Sequence, residues 1–208
     1  MTVRRALHVV VDGSFCVGKT TLVAGLVAAL KARSINAGSL PEVARGNPFI
    51  EESVVHRAHP LDLIAELHLF CEKLAAEVAL CRHHDVIISD ASVLNVLAHV
   101  DVLLPVAETA RPLDIVSAMN HLAAAHARAH YDEVLYLSDV YPIGRTSDPF
   151  RTASPADRDA LHRSLRSKYE RAGINFSEVP KGLPHDDKVR WCLDRVLDRV
   201  SVEDSSPG

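Results

Sequence analysis

The sequence lacks several features that would assign it to a specialised class of protein. It has no apolar run of the ~18 residues that cross a membrane as a helix. It has no run of Lys and Arg and its net charge is −4, whereas nucleic-acid-binding domains usually carry a basic patch. Its four cysteines form no C-x-x-C pair, which is typical of reduced thiols. We therefore expect a cytoplasmic protein with no membrane span and no nucleic-acid partner, and residues 1–7 leave no room for a signal peptide.

The length and composition predict one globular domain. The chain has 208 residues, of which 48% are hydrophobic and 24% charged, as in ordinary folded domains. We predict a single domain over residues 1–200, followed by a short polar tail, residues 201–208, that is disordered. The sequence does not set the oligomeric state, and a homodimer is one option.

One stretch near the start of the chain carries a sharply specific motif. Gly13, four further residues and then Gly18-Lys19-Thr20 match the phosphate-binding loop pattern. An apolar run, His8 to Val11, predicts a buried strand before the loop, and regularly spaced leucines and valines after it predict a helix. Strand, glycine loop and helix in this order are the context that the motif requires.

The chemistry of such a loop predicts ATP binding. Glycines let backbone N–H groups point inward around a polyphosphate, and the helix start adds free N–H groups. We expect Lys19 to contact the β- and γ-phosphates and the Thr20 hydroxyl to ligate Mg²⁺. The predicted ATP-binding residues are Gly13, Ser14, Phe15, Cys16, Val17, Gly18, Lys19, Thr20 and Thr21.

Strands and helices alternate along the chain, which predicts an α/β fold with a parallel sheet of about five strands covered by helices on both faces. The predicted strands are Ala6 to Asp12, a short strand ending near Leu40, Val86 to Asp90, Val134 to Leu137, and Ile174 to Val179. The predicted helices are Lys19 to Arg33, Leu61 to Arg82, Val93 to Leu104, Pro112 to His130, Pro155 to Gly173, and a last helix from Asp186 or Asp187. In the second of these, Leu63, Leu67, Phe70, Leu74, Val78 and Cys81 form the predicted buried stripe.

Ligands of parallel sheets bind at the carboxyl ends of the strands, so residues just after each strand are candidates for chemistry. Asp90 ends the third strand and is our first choice as the second Mg²⁺ ligand beside Thr20. Asp139, after the fourth strand, ranks second. A simple helix cap is the structural alternative for Asp90.

Two charged residues follow the second strand. Glu42 would face the γ-phosphate and act as a general base on a substrate hydroxyl, or hold a metal-bound water. Arg45, one helical turn later, would bind a substrate anion or pair with Glu42. A solvated glutamate and an ordinary surface salt bridge are equally weighted alternatives.

The loop from Tyr141 to Arg151 contains two prolines, a glycine and two arginines. Arginines on a closing loop neutralise the charge that develops during phosphoryl transfer, so we predict a lid that carries Arg145 and Arg151 as catalytic residues. Among the twelve histidines, His126 and His130 share a helix face, but without a cysteine or carboxylate beside them we predict surface or packing roles rather than a metal site.

These motifs together resemble a known family. Asp12-Gly13 with Gly18-Lys19-Thr20-Thr21 resembles the loop of nucleoside and nucleotide kinases, including thymidylate kinase. Residues 41–45, Pro-Glu-Val-Ala-Arg, resemble the stretch after the second strand in the AAA-type ATPase/kinase family that includes the ribosylnicotinamide kinase domain of NadR. The Pro-Glu pair at this place also resembles the corresponding pair of deoxynucleoside kinases, in which the glutamate acts as the base. The resemblance implies a P-loop NTPase fold with strand order 2-3-1-4-5, ATP, Mg²⁺, and phosphoryl transfer to a small acceptor. Ala91 is a departure, because an arginine commonly follows the third-strand aspartate in these kinases.

The first hypothesis is therefore a small-molecule kinase that acts on a nucleoside, nucleotide or related metabolite. The alternative is a regulatory P-loop NTPase that hydrolyses ATP without a small acceptor, and a third option is a module that binds nucleotide without turnover. The sequence has no N-K-x-D motif of a GTPase and no Leu-Ser-Gly-Gly motif of a transporter ATPase. It does not identify the acceptor.

Overall fold

The computed structural model describes residues 5–104, 113–141 and 154–204. Five parallel strands form one sheet in the order β2-β3-β1-β4-β5, which confirms the expected fold class. The strands are β1 (Leu7–Gly13), β2 (Ala37–Leu40), β3 (Val86–Asp90), β4 (Glu133–Leu137) and β5 (Ser177–Glu178). The helices are α1 (Lys19–Lys31), α2 (Pro48–Val54), α3 (Leu63–Leu80), α4 (Val93–Leu103), α5 (Leu113–His130), α6 (Pro155–Ala172) and α7 (His185–Asp204), with a 3₁₀ turn at Val43–Gly46.

The central strand β1 is buried along its whole length because helices cover both faces of the sheet. Alternate residues of β1 enter two separate cores, as the two-residue period of a strand requires. Val10 packs into the core formed with α3, α4, α5 and α6, while Val9 and Val11 pack into the core formed with α1 and α7. This arrangement fixes the end of β1 and hence the start of the phosphate loop.

One additional helix and two element boundaries are the main differences from the sequence-based prediction. Helix α2 was not predicted; the Asn47 side chain caps it by accepting hydrogen bonds from the backbone N–H groups of Phe49 and Ile50, and Pro48 occupies its first turn. Strand β5 has two residues, where six were predicted, because only Leu135 and Tyr136 of β4 pair with it. Helix α7 continues through residues 201–204, which we had predicted as the start of the tail.

The buried face of α3 also differs from the predicted apolar stripe. Val78 is 48% exposed, while Glu66, Lys73 and Glu77 are at most 3% exposed. Helical spacing alone assigns apolar residues to the core, but charged residues can replace them when other elements supply partners. Here Lys73 and Glu77 find such partners, and Glu66 lines a pocket.

Within the described residues, no helix is long and apolar enough to cross a membrane.

Candidate active site

The phosphate loop leaves β1 through a backbone that only glycine tolerates. Gly13 has φ +145°, and a Cβ added there would lie 2.4 Å from the carbonyl oxygen of Leu137 on β4. Gly18 has φ +87° and caps α1, with the Tyr141 ring 3.3 Å from where its Cβ would be. The two glycines therefore let the loop turn tightly above the sheet and start α1 with its N–H groups directed at the loop.

Lys19 lies across this loop. Its Nζ donates hydrogen bonds to the carbonyl oxygens of Gly13, at 3.0 Å, and Ser14, at 2.8 Å. The lysine charge is thus already held inside the turn that the sequence motif predicts to bind phosphates. A polyphosphate in this loop would meet an ammonium group and the helix N-terminus together.

Thr20 and Asp90 lie together, as predicted for a pair of Mg²⁺ ligands. The Thr20 hydroxyl donates to Oδ2 of Asp90 at 2.6 Å. Asp90 is 1% exposed, and its Oδ1 has no hydrogen-bond partner among the described residues. Burial raises the pKa of Asp90, and the Lys19 charge and the Thr20 hydrogen bond oppose this only in part. A hydroxyl beside a buried carboxyl oxygen that lacks a donor fits a hard cation such as Mg²⁺.

Asp139, the competing metal ligand, lies elsewhere. It accepts hydrogen bonds from the backbone N–H of Gly182, at 3.1 Å, and from the ammonium of Lys188. Burial acts to raise the pKa of Asp139, but these hydrogen bonds outweigh it and lower the pKa. The Asp139 carboxylate therefore has partners of its own, and the structure brings only Asp90 to Thr20.

Glu42 and Arg45 form an ion pair at the edge of the site. Arg45 Nε lies 3.3 Å from Glu42 Oε2, and both side chains are more than one third exposed. Exposed pairs of this kind contribute little to stability, so Glu42 can exchange this partner for a substrate group. Arg145 and Arg151 lie outside the described residues, and their predicted role stays a prediction.

Two pockets meet at Phe15 and Glu42. The first, about 440 Å³, surrounds the phosphate loop and is lined by Phe15, Cys16, Val17, Gly18, Lys19, Thr20, Thr21, Leu22, Glu42, Arg45, Leu137, Tyr141, His185 and Lys188. The second, about 260 Å³, lies between the 3₁₀ turn, α2, α3 and α4, and Asp90 lies in its wall. Because Asp90 is hydrogen-bonded to Thr20 of the first pocket, a ligand in each would meet near these two residues.

A buried polar network supports Asp90 from behind, and sequence reasoning missed it. Lys73 Nζ donates to the backbone carbonyl of Asp90 at 3.1 Å and lies 3.7 Å from Oε1 of Glu77. Glu77 accepts hydrogen bonds from His126, at 2.7 Å, and from Tyr131. Burial acts to raise the pKa of Glu77, but the His126 hydrogen bond and the Lys73 charge outweigh it and lower the pKa. His126 is therefore a buried partner of a carboxylate rather than a surface residue.

Asp12 anchors the loop entrance. It is fully buried and accepts hydrogen bonds from the Tyr169 hydroxyl and the Asn95 amide, both at 2.6 Å, and from the backbone N–H of Gly13 at 2.8 Å. Helices α4 and α6 are thereby joined to the end of β1. The Asp-Gly pair at the strand end was visible in the sequence, but these partners lie far away along the chain.

The fold and the loop define this molecule as a P-loop NTPase with the sheet order of the kinase type. A family model described as an AAA domain matches residues 8–186, and the chain belongs to that family. This confirms the resemblance inferred from the motifs. No curated protein matches the chain.

Solved structures show the same fold at low sequence identity. Deoxyadenosine kinase from M. mycoides with bound dCTP superposes with a TM-score of 0.65 at 14% identity, covering 92% of this chain and 100% of that one. Thymidylate kinase from Candida albicans gives 0.64 at 12% identity, covering 94% and 92%. NadR in complex with NAD and AMP-PNP gives 0.65 at 20% identity, covering 93% of this chain but only 49% of NadR, so the chain spans about half of that protein.

Proposed function

We propose that the protein is an ATP- and Mg²⁺-dependent kinase that transfers a phosphoryl group to a hydroxyl of a nucleoside, nucleotide or related small molecule. The observation that carries this proposal is the second pocket, which adjoins the phosphate loop at Phe15 and Glu42. An enzyme that only hydrolyses ATP has no need of an apolar pocket for a second small molecule beside the γ-phosphate position.

Lys19, Thr20 and Asp90 are the proposed phosphate and metal residues. Lys19 would exchange its two carbonyl partners for phosphate oxygens, which are stronger acceptors because they are charged. Thr20 and the partnerless Oδ1 of Asp90 would hold Mg²⁺. When bound there, the ion would neutralise part of the charge on the phosphates.

Glu42 is the proposed general base. Released from Arg45, its carboxylate would take the proton of the acceptor hydroxyl while that oxygen forms its bond to the γ-phosphorus. The bond from the γ-phosphorus to the bridging oxygen breaks, and ADP leaves with that oxygen. Arg45 would then be available to contact an anionic group of the substrate, and Arg145 and Arg151 would supply further positive charge if the loop of residues 141–151 closes over the site.

The structural neighbours support this assignment at the level of the fold. Two of them are named as kinases of a deoxynucleoside and of a nucleoside monophosphate, and the NadR structure contains an ATP analogue. Their alignments cover 92%, 93% and 94% of this chain. A nucleoside-like acceptor is therefore the first class of substrate to test.

Product analysis tests the proposal. The protein would be incubated with ATP, Mg²⁺ and a panel of nucleosides and nucleotides, with Lys19→Ala purified in parallel to exclude contaminating kinases. A phosphorylated acceptor that depends on Lys19 and on Mg²⁺ is the expected result. ADP and inorganic phosphate alone, independent of every acceptor, would instead favour the regulatory NTPase, and no turnover with tight ATP binding would favour the binding module.

A further inference from the structure

Glu66 is the one acidic side chain of α3 that is buried without a basic partner among the described residues. It lies in the first turns of α3, is 3% exposed, and lines the second pocket. Its Oε2 has no hydrogen-bond partner among the described residues. Buried polar atoms are almost always paired, so an unpaired carboxyl oxygen in the wall of a pocket indicates a partner that arrives with a ligand.

The surroundings of Glu66 are mostly apolar. The pocket walls include Ile50, Val54, Leu61, Leu69, Val96 and Leu103, from α2, α3, α4 and the segment before α3. Other titratable groups in the same walls are Glu42 just before the 3₁₀ turn, Lys73 from α3, Asp90 from β3, His99 from α4 and Asp157 from α6.

Three of these other groups have hydrogen-bond or ionic partners of their own. Lys73 bonds the Asp90 carbonyl and pairs with Glu77, and His99 donates from Nδ1 to the carbonyl oxygen of Asn95 at 2.8 Å. Asp157 closes the capping box of α6 with Ser154. Burial alone raises the pKa of Glu66 to about 8, with no contribution from a neighbouring charge. Burial therefore favours the protonated form of this carboxyl near neutral pH.

A protonated carboxyl offers a different pattern of hydrogen bonds from an ionised one. It presents an O–H donor next to a carbonyl acceptor, whereas a carboxylate presents two acceptors. An O–H can donate to a ring nitrogen while the carbonyl oxygen accepts from a neighbouring amino group. A planar ring with such an edge would also fill the apolar walls.

We propose that Glu66 is the specificity residue of the second pocket, where its buried, partnerless carboxyl group binds the edge of an uncharged planar base that places a hydrogen-bond donor next to an acceptor. The amino and ring-nitrogen edges of adenine and cytosine have this pattern. The proposal rests on the proposed function, since it identifies the second pocket as the acceptor site. It excludes as preferred ligand a ring with a permanent positive charge, which would need an ionised carboxylate.

Equilibrium binding tests this directly, without turnover. Calorimetric dissociation constants for adenosine and cytidine would be measured from about pH 6.5 to about pH 9.5, a range in which neither base ionises. Only the protonated carboxyl matches these bases, so with a pKa of about 8 the better of the two should bind about thirtyfold more weakly at the upper pH. Glu66→Gln, whose amide keeps a donor beside an acceptor, should remove this dependence. Glu66→Leu should weaken binding at least about tenfold at about pH 6.5, and its difference from the native protein should shrink as the pH rises.

Matched controls separate the outcomes. Glu52→Gln changes an exposed glutamate on α2 and should keep the native pH profile. If the loss at high pH persists in Glu66→Gln, the titrating group is another one, such as Lys73, and the proposal is overturned. Ribosylnicotinamide serves as the cationic probe. The proposal would also be overturned if this probe binds more tightly than both neutral nucleosides, if its affinity increases with pH, and if that affinity is lost in Glu66→Gln.

The failure of this proposal is distinguishable from the failure of the proposed function. If the protein phosphorylates nucleosides and Glu66→Gln leaves the pH profile and the selectivity unaltered, the kinase function is supported and the role of Glu66 is rejected. If a neutral nucleoside binds with the expected pH profile but is not phosphorylated, the role of Glu66 is supported and the kinase function is rejected. If neither neutral nucleoside binds at any pH, the assignment of Glu66 to such a base is wrong.

Discussion

The two pockets that meet at Glu42 are built in opposite ways. The phosphate pocket draws its binding groups mainly from one continuous stretch, residues 13–21, and those groups are backbone N–H groups, a lysine and a hydroxyl. The second pocket draws its walls from the 3₁₀ turn, α2, α3, α4 and one residue of α6, and most of them are apolar. A local motif is enough to place a phosphate, whereas recognition of a particular acceptor depends on side chains that only the folded chain brings together.

The largest expected effect comes from removing Lys19, the charged group of the phosphate pocket. Lys19→Ala removes the ammonium that spans the loop and should lower turnover by about a thousandfold or more, because no other described lysine bonds the loop carbonyls. Lys31→Ala, at the exposed end of the same helix, is the matched control. Steady-state kinetics and circular dichroism on both variants measure the effect; near-normal activity of a folded Lys19→Ala would reject the proposed phosphate site.

The next effect tests where the metal binds. Asp90→Asn should lower kcat by about a hundredfold, because an amide is a far weaker Mg²⁺ ligand than a carboxylate. Asp139→Asn should cost at least tenfold less, because Asp139 bonds Lys188 and Gly182 rather than Thr20. Activity measured over a range of Mg²⁺ concentrations should show a raised requirement for the ion in Asp90→Asn alone. A larger loss in Asp139→Asn would mean that the metal lies at the end of β4.

The contrast between the pockets also explains how far the sequence was informative. The parallel sheet followed from the alternation of strands and helices, and the phosphate loop followed from its motif, because both depend on patterns that are short or regular. The order of the strands was predicted only from the family resemblance. The Asn47-Pro48 pair is a helix start that the sequence did contain, although α2 was not among the predicted helices. Glu66, Lys73 and Glu77 were missed for a different reason.

Helical spacing favours apolar residues as the buried ones, and it places leucines and valines of α3 in the core. The partners that permit a buried Lys73 and Glu77 are Asp90, His126 and Tyr131, which lie on other elements. Glu66 is buried without an ionic partner along α3, and burial is the cause of its raised pKa. Such burial depends on the packing of α3 against α2 and α4, which no local pattern in α3 encodes.

A smaller effect tests whether a lid joins the two pockets. Arg145→Ala and Arg151→Ala should each lower kcat by about tenfold, less than the loss of a single arginine finger, because two arginines would share the charge on the transferring group. The double change should be worse than either, and the KM for ATP should rise less than kcat falls. Steady-state kinetics on the three variants decides it. Wild-type kcat in all three would leave Arg45 as the next source of positive charge.

The smallest expected effect concerns the stability of the second pocket without any ligand. The pKa of Glu66 is about 8 in the folded chain, against 4.5 for an ordinary glutamate. The folded chain therefore binds this proton more tightly than the unfolded chain, and the resulting stability is complete below about pH 4.5 and is lost as the pH rises to about 8. Glu66→Gln cannot titrate and should lack this component.

The stabilities of the native protein and of Glu66→Gln are best compared near neutral pH. Between about pH 7 and about pH 8 the native protein should lose about 1 kcal/mol of unfolding free energy relative to Glu66→Gln, or about 3 °C in Tm. Burial lowers the pKa values of Lys73 and His99, which gives their titration the opposite sign, and the comparison with Glu66→Gln removes their contribution because both proteins contain them. Thermal unfolding followed by circular dichroism, with Glu52→Gln as the exposed control, measures the difference. Parallel pH profiles for the native protein and Glu66→Gln would mean that the folded chain does not bind a proton at Glu66 more tightly than the unfolded chain does, and the protonated carboxyl expected in the second pocket would be wrong.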